Sequence, residues 1–328
     1  MVTEPAGTLG SDLKPAVTRA DVAAAQERLG TRIRRTPVIR IETGQLGASH
    51  PAFWLKLESL QATGAFKARG ALNNLLAADI PAAGVCAASG GNHGQAVAWA
   101  ARLLGARASV FVPTTCPPVK LRRLAGYGAV ITVTGDIYEE SRTSAEHFAA
   151  ETGALPVHPF DQPMTVAAAG TVAAEFGEQV PDLDTMLIAV GGGLLAGTLA
   201  ALDGTSARAV AIEPFSARCL GAAQEAGEPV DVPVSGPAVD SLGVRRVGRL
   251  AFDAALAHDV EHVDVTDDAI IQAQLRAWEE LRVGLEAGGA AALAALLSGA
   301  YVPAEREVAG VLACGGNVDI AAVLAAAT

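Results

Sequence analysis

Lys67 is the first residue whose setting suggests chemistry: it follows Gly64, Ala65 and Phe66 and precedes Ala68, Arg69 and Gly70. Lysine normally keeps its ammonium in water. One set among apolar neighbours at a helix entry loses basicity and becomes a nucleophile, which suits a covalent anchor. Alone it would read as a solvated helix lysine. Three glycine-rich segments change that reading: SGGNHG (89–94), GGGLLAG (191–197) and CGGN (314–317). Each trails a short β-type run (VCAA, TMLIAV and EVAGVLA) and precedes a helix-type run, so all three belong at the carboxyl ends of parallel strands, where ligands bind. Glycines there let the backbone approach a ligand, and a helix start offers free N–H donors and the positive end of its dipole. Together the four segments describe a phosphate-bearing cofactor site.

The elements that would position them follow from periodicity and punctuation. Thr18 and Asp21 form a capping box for the helix DVAAAQERL, which Gly30 stops. From residue 84 the chain alternates strand GVCAA, a helix over 94–104, strand ASVFV, helix VKLRRLAG, strand AVITVT and a helix over 138–151, a small βαβ sheet. It resumes with helix VAAAGTVAAEF, strand TMLIAV, helix LLAGTLAAL, strand ARAVAI, several more helices, strand EVAGVLA and a final helix, giving a second, larger open sheet. The alanine-rich run at 288–300 reads as a packed helix.

With these motifs in order, from TPVIR (36–40) through KLESLQATGAFKARGA, SGGNHGQAVAWAA, HPFDQP, the glycine loop, AIEP, VDSLG and CGGNVD, the chain resembles the fold-type II pyridoxal-phosphate enzymes, in their serine/threonine dehydratase and serine racemase branch. The resemblance covers nearly the whole chain. It implies an α/β fold, tryptophan synthase β-like, with two open twisted sheets flanked by helices. The division would be a discontinuous large cofactor-binding domain (1–79 and 160–328) and a small mobile domain (80–159), with the cofactor between them. It implies that Lys67 forms the Schiff base with pyridoxal 5'-phosphate, that Phe66 lies against the ring and that Asn92 bonds the ring oxygen. Gly191, Gly192, Gly193 and Leu194 would cradle the phosphate, and Cys314 would face the pyridine nitrogen. Ser89, with the backbone N–H groups of Gly91, Asn92 and His93, would receive the substrate carboxylate. A neutral thiol at the ring nitrogen makes the ring a weaker electron sink than a carboxylate would, favouring elimination over transamination. The implied activity is that of an L-threonine/L-serine ammonia-lyase converting a small β-hydroxy amino acid to a 2-oxo acid and ammonia. The alternatives are an amino-acid racemase or a β-replacement synthase on the same fold.

Several positions depart from the family pattern. Three glycines stand where relatives have four, and Gly90 stands where the racemases carry a second serine base, which argues for a one-base enzyme working through Lys67. Metal-binding relatives use a glutamate, a carbonyl and an aspartate at positions corresponding to Glu213, Ala217 and Cys219. A thiol is a poor ligand for a hard cation, so no metal is expected. His158 is expected to shape a turn and Arg69 to be structural. Glu286, Asp240 and Ser241 correspond to positions near the substrate pocket, while the histidines other than His93 and His158 share no metal spacing.

Composition bounds the rest. A chain of 328 residues accommodates a two-domain core but no added regulatory module. A net charge of −11 without Lys/Arg clusters excludes nucleic acid as the partner. Cys86, Cys116, Cys219 and Cys314 lack CxxC spacing, which fits a reducing cytoplasm. The amino-terminal stretch 1–17 reads as a flexible arm without a secretory signal, and no stretch reads as a membrane span. The expected partners are a small amino-acid substrate and a second copy in a homodimer.

Overall fold

The computed structural model describes residues 16–47 and 49–326, so most of the amino-terminal arm lies outside the described residues. The first helix, Arg19–Leu29, opens with the expected capping box: Thr18 accepts from the Asp21 N–H and the Asp21 carboxylate accepts from the Thr18 N–H. Gly30 closes it. Strands β1 (Val38–Ile41) and β2 (Phe53–Lys56) come next, then the helix Lys67–Leu76. Strands β3 (Val85–Ala88), β4 (Ala108–Val112), β5 (Val130–Val133) and β6 (Leu155–Pro156) follow. The second half carries β7 (Thr185–Ala189), β8 (Arg208–Pro214), β9 (Glu261–Val265) and β10 (Ala309–Leu312).

These strands form two sheets. One has the order β1-β2-β10-β7-β8-β9 and is parallel except for the β1–β2 pair. The other has the order β5-β4-β3-β6 and is parallel throughout. Strands covered on both faces carry continuous apolar runs, as β3, β7 and β10 do, all of them buried. The edge strand β5 is mostly exposed. In the larger unit the helices Pro163–Gln179 and Gly193–Leu202 pack backbone to backbone. A Cβ at Gly170 would collide with the carbonyl of Gly197, and one at Gly197 with that of Val166. The alanine-rich segment is the buried helix Ala287–Ser298. Helix Asn92–Leu103 starts two residues earlier than its sequence pattern suggests, so Asn92 and His93 lie in its first turn.

One expectation needs correcting. CGGN does trail a strand, but no helix starts there: residues 315–319 are irregular and the last helix begins at Ile320. This segment is instead tied to the loop before Lys67. Phe66 N–H donates to the Cys314 carbonyl at 3.1 Å, Gly316 N–H to the Gly64 carbonyl at 2.8 Å, and Ala65 bridges Gly315.

Candidate active site

Lys67 is the first residue of its helix, and the loop ahead of it turns through positive φ at Thr63 (62°) and Gly64 (77°). Gly64 is needed for closeness as well as for φ, since a Cβ there would sit 2.7 Å from Asn317 Oδ1. The Lys67 ammonium donates to the Pro159 carbonyl at 2.7 Å and lies 5.0 Å from the Phe66 ring centroid. Burial lowers its pKa from the usual 10.5 to about 8, with Cys314 and Glu286 opposing the shift. Cys314 follows β10; its buried thiol donates to the Gly288 carbonyl at 3.5 Å, and burial pushes it up to about 12, so it stays protonated.

The other glycine segments converge on the same end of the sheets. Ser89 follows β3, and its hydroxyl accepts from the Gly91 N–H at 3.2 Å; no side chain caps the helix that starts at Asn92. Asn92 donates to Glu286 at 2.6 Å and accepts from Asn317 at 2.7 Å. His93 is buried and its Nε2 donates to the Val157 carbonyl at 2.8 Å. Burial, with Lys67 nearby, lowers its pKa to about 3, so the ring is neutral. Gly192 caps the helix Gly193–Leu202 with φ 132°, and no side chain caps that start either. A Cβ on Gly192 would strike Phe160, and one on Gly193 would come within 2.6 Å of the Phe160 carbonyl. Leu194, in the first turn, is buried. A glycine cradle at an uncapped helix start, together with an amine of lowered basicity beside a neutral thiol, fits a phosphate-bearing aldehyde.

A profile of the family described as "Pyridoxal-phosphate dependent enzyme" matches residues 29–315. The chain belongs to this family. It is 36% identical over 304 residues to an L-threonine ammonia-lyase of Geobacter sulfurreducens, covering 91% of this chain and 75% of that protein. It is 35% identical over 311 residues to a serine racemase of Oryza sativa subsp. indica, covering 91% and 90% respectively. The solved structure of maize serine racemase superposes with a TM-score of 0.86 at 32% identity, over 95% of this chain and 97% of that one. The protein is therefore a pyridoxal-phosphate enzyme of fold-type II.

Sequence reading missed several members of the site. Pro159 and Phe160, within the quoted HPFDQP, hold the lysine and floor the glycine loop through backbone contacts that leave no mark in residue type. Asn317 lies in the CGGN segment, but only its bonds to Asn92 and to the Thr63 carbonyl (2.7 Å) make it part of the site. Glu286, expected near the substrate pocket, is part of the site, and it carries a carboxyl that burial raises to about 7, against the Asn92 hydrogen bond. Away from this centre, His158 builds the expected turn by accepting from the Phe160 and Asp161 N–H groups. Glu213 is fully buried and accepts from the Leu220 and Gly221 N–H groups, the Cys219 thiol and His262 Nε2. His262, given no role from spacing, thus pairs with that carboxylate. Among the described residues no group of three or more His, Cys, Asp or Glu could hold a metal ion, and no helix is long and apolar enough to cross a membrane.

Proposed function

We propose that the protein is an ammonia-lyase that removes water from a β-hydroxy amino acid, L-serine and L-threonine being the smallest, and releases a 2-oxo acid and ammonia. One observation carries the reading: an amine of lowered basicity, Lys67, beside a thiol that stays protonated, with a glycine, Gly90, where the racemases carry their second base. When bound, pyridoxal phosphate supplies an electron sink for the bond broken at the substrate α-carbon. The start of helix Gly193–Leu202 would hold its phosphate through Gly191 to Leu194, Phe66 and Asn92 would fix its ring, and Cys314 would face the ring nitrogen. The N–H groups of Gly91, Asn92 and His93, with Ser89, hold the substrate carboxylate, since a helix start favours an anion. Lys67 Nζ takes the α-proton, and a pKa of about 8 leaves enough free amine to do so. A thiol that stays protonated at Cys314 would leave that sink weaker than a carboxylate would, which disfavours transamination.

Gly90 supports this assignment over racemisation. A Cβ there would come 2.6 Å from Cys116 Sγ, so the position has no room for a second base without displacing that side chain. We also read residues 80–159 as a domain that moves against 1–79 and 160–328, and the protein as a cytoplasmic homodimer. All four cysteines are free thiols, which suits a reducing compartment.

The test is a screen for 2-oxo acid and ammonia release across β-hydroxy amino acids by the holoenzyme. Release that falls by about 10³-fold or more in Lys67→Ala is expected. D-serine formed from L-serine without 2-oxo acid would instead indicate a racemase, and product formed only with added sulfide a β-replacement synthase.

A further inference from the structure

A cleft of about 290 Å³ opens beside Asn92 and Glu286 and is walled on one side by the helix Pro118–Gly126. Two cations of that helix, Lys120 and Arg123, line it, and they differ in one respect. Lys120 is already neutralised: its Nζ lies 2.9 Å from Asp240. Arg123 has no such partner. Among the described residues no carboxylate lies within ion-pair distance of it, and its side-chain hydrogen bond is a long one, 3.5 Å from Nη1 to the neutral amide oxygen of Asn317. A half-buried guanidinium with most of its donor fork unused at the cleft is open to an anion, and the fork matches a carboxylate. Asp319, also at the cleft, is exposed and accepts from the Ala321 N–H in its own turn. Glu286 is engaged by Asn92.

Asn317 also fixes where this free cation lies. Its amide nitrogen donates to Asn92 Oδ1 at 2.7 Å, so Arg123 stands one side chain beyond the helix start that we assign to the substrate α-carboxylate. We infer that Arg123 receives a second carboxylate at the side-chain end of the substrate, so that the preferred substrates are acidic β-hydroxy amino acids, of which β-hydroxyaspartate is the simplest. This rests on the lyase reading of the same site and narrows it. Lys67 takes the α-proton, the Cβ–O bond breaks, and the hydroxide leaves as water with that proton, which returns Lys67 to the free amine. The released enamine tautomerises and is hydrolysed to oxaloacetate and ammonia. One water is lost and one is taken up, so every atom of β-hydroxyaspartate is accounted for.

The experiment compares kcat/KM of the holoenzyme for β-hydroxyaspartate, L-serine and L-threonine in the natural protein, Arg123→Leu and Arg123→Gln, with unfolding midpoints recorded so that a misfolded variant is recognised. The natural protein is expected to prefer β-hydroxyaspartate. Both variants should lose about 10- to 100-fold on that substrate, the size of a lost charge-assisted hydrogen bond, with L-serine changed less than about 3-fold. A second readout needs no elimination: L-aspartate, which has no β-hydroxyl to lose, should perturb the visible absorption of the bound cofactor at lower concentration than L-alanine does, and Arg123→Leu should abolish that difference. Aspartate binding through Arg123 without 2-oxo acid from any β-hydroxy amino acid would sink the lyase reading and leave the subsite standing. Serine or threonine turned over at least as well as β-hydroxyaspartate, with selectivity unchanged in both variants, would overturn the subsite.

Discussion

At the scale of single residues the site is a set of ionisable groups whose pKa values are held away from the ordinary ones. Lys67 is shifted down to about 8, Glu286 up to about 7 and Cys314 up to about 12, each chiefly by burial. Glu286 gives a stability prediction with a definite sign. Its folded pKa lies above the ordinary 4.5, so the native state holds this proton more tightly than the unfolded chain. The stabilisation is complete below pH 4.5 and is lost as pH rises through about 7. Glu286→Gln keeps the acceptor oxygen for Asn92 and removes the charge. It should therefore raise the thermal midpoint of the protein at pH 8 and leave it nearly unchanged at pH 5; an equal shift at both values would contradict the assignment. Lys67 was legible from sequence because its apolar neighbours and the motif order announce it. Glu286 was legible only as a position near the pocket, because its perturbation comes from residues distant in the chain.

At the scale of elements, the lysine loop is positioned by a buried ion network. Arg69 Nε lies 2.9 Å from Glu58, and its Nη2 lies 3.0 Å from Glu175, which also pairs with the fully buried Lys56. The expectation that Arg69 is structural agrees with this geometry. Its partners were not legible, because one of them sits more than a hundred residues away on the helix Pro163–Gln179. Removing one member of a buried pair strands the other charge, so Arg69→Leu should destabilise the protein by about 3–5 kcal/mol in denaturant titration. A loss below about 1 kcal/mol would show that the network relaxes. Parallel strands announced by continuous apolar runs, such as β3 and β7, were also readable. Short β1 and β2 and the mixed-polarity β9 were not, because their burial depends on neighbours brought in by the fold. The CGGN segment misled for a related reason: its glycines serve contact with the lysine loop and with Glu286, which a Cβ at Gly315 would strike, and no helix start is involved.

At the scale of the molecule, two sheets of unequal burial meet at the site. Of the buried residues in the four-stranded sheet, only Val85 and Ala87 of β3 and Ala108 of β4 belong to the main core; the others form small satellite clusters, Cys86, Ala88 and Phe111 with Ala145 and Ala154, and Val110 and Val112 with Leu124, while the six-stranded sheet is built into the main core. Fewer buried contacts make local opening cheaper. Amide hydrogen exchange should therefore proceed through a lower-energy opening in β4 and β5 than in β7 and β8, and uniform protection across both sheets would contradict a separately mobile unit. The two-sheet division was visible in the sequence as two runs of alternating strands and helices; the pairing order was not, because register is set by long-range contacts. The central claim, attachment at one amine, can be tested cleanly because the chain has four lysines, Lys14, Lys56, Lys67 and Lys120. Lys56 is sealed by Glu175, Gln179 and the Thr36 carbonyl, and Lys120 is paired with Asp240. Borohydride reduction of the pyridoxal-phosphate-loaded protein, followed by peptide mass spectrometry, should place the cofactor mass on Lys67 alone. An adduct on another lysine, or none after loading, would contradict the account.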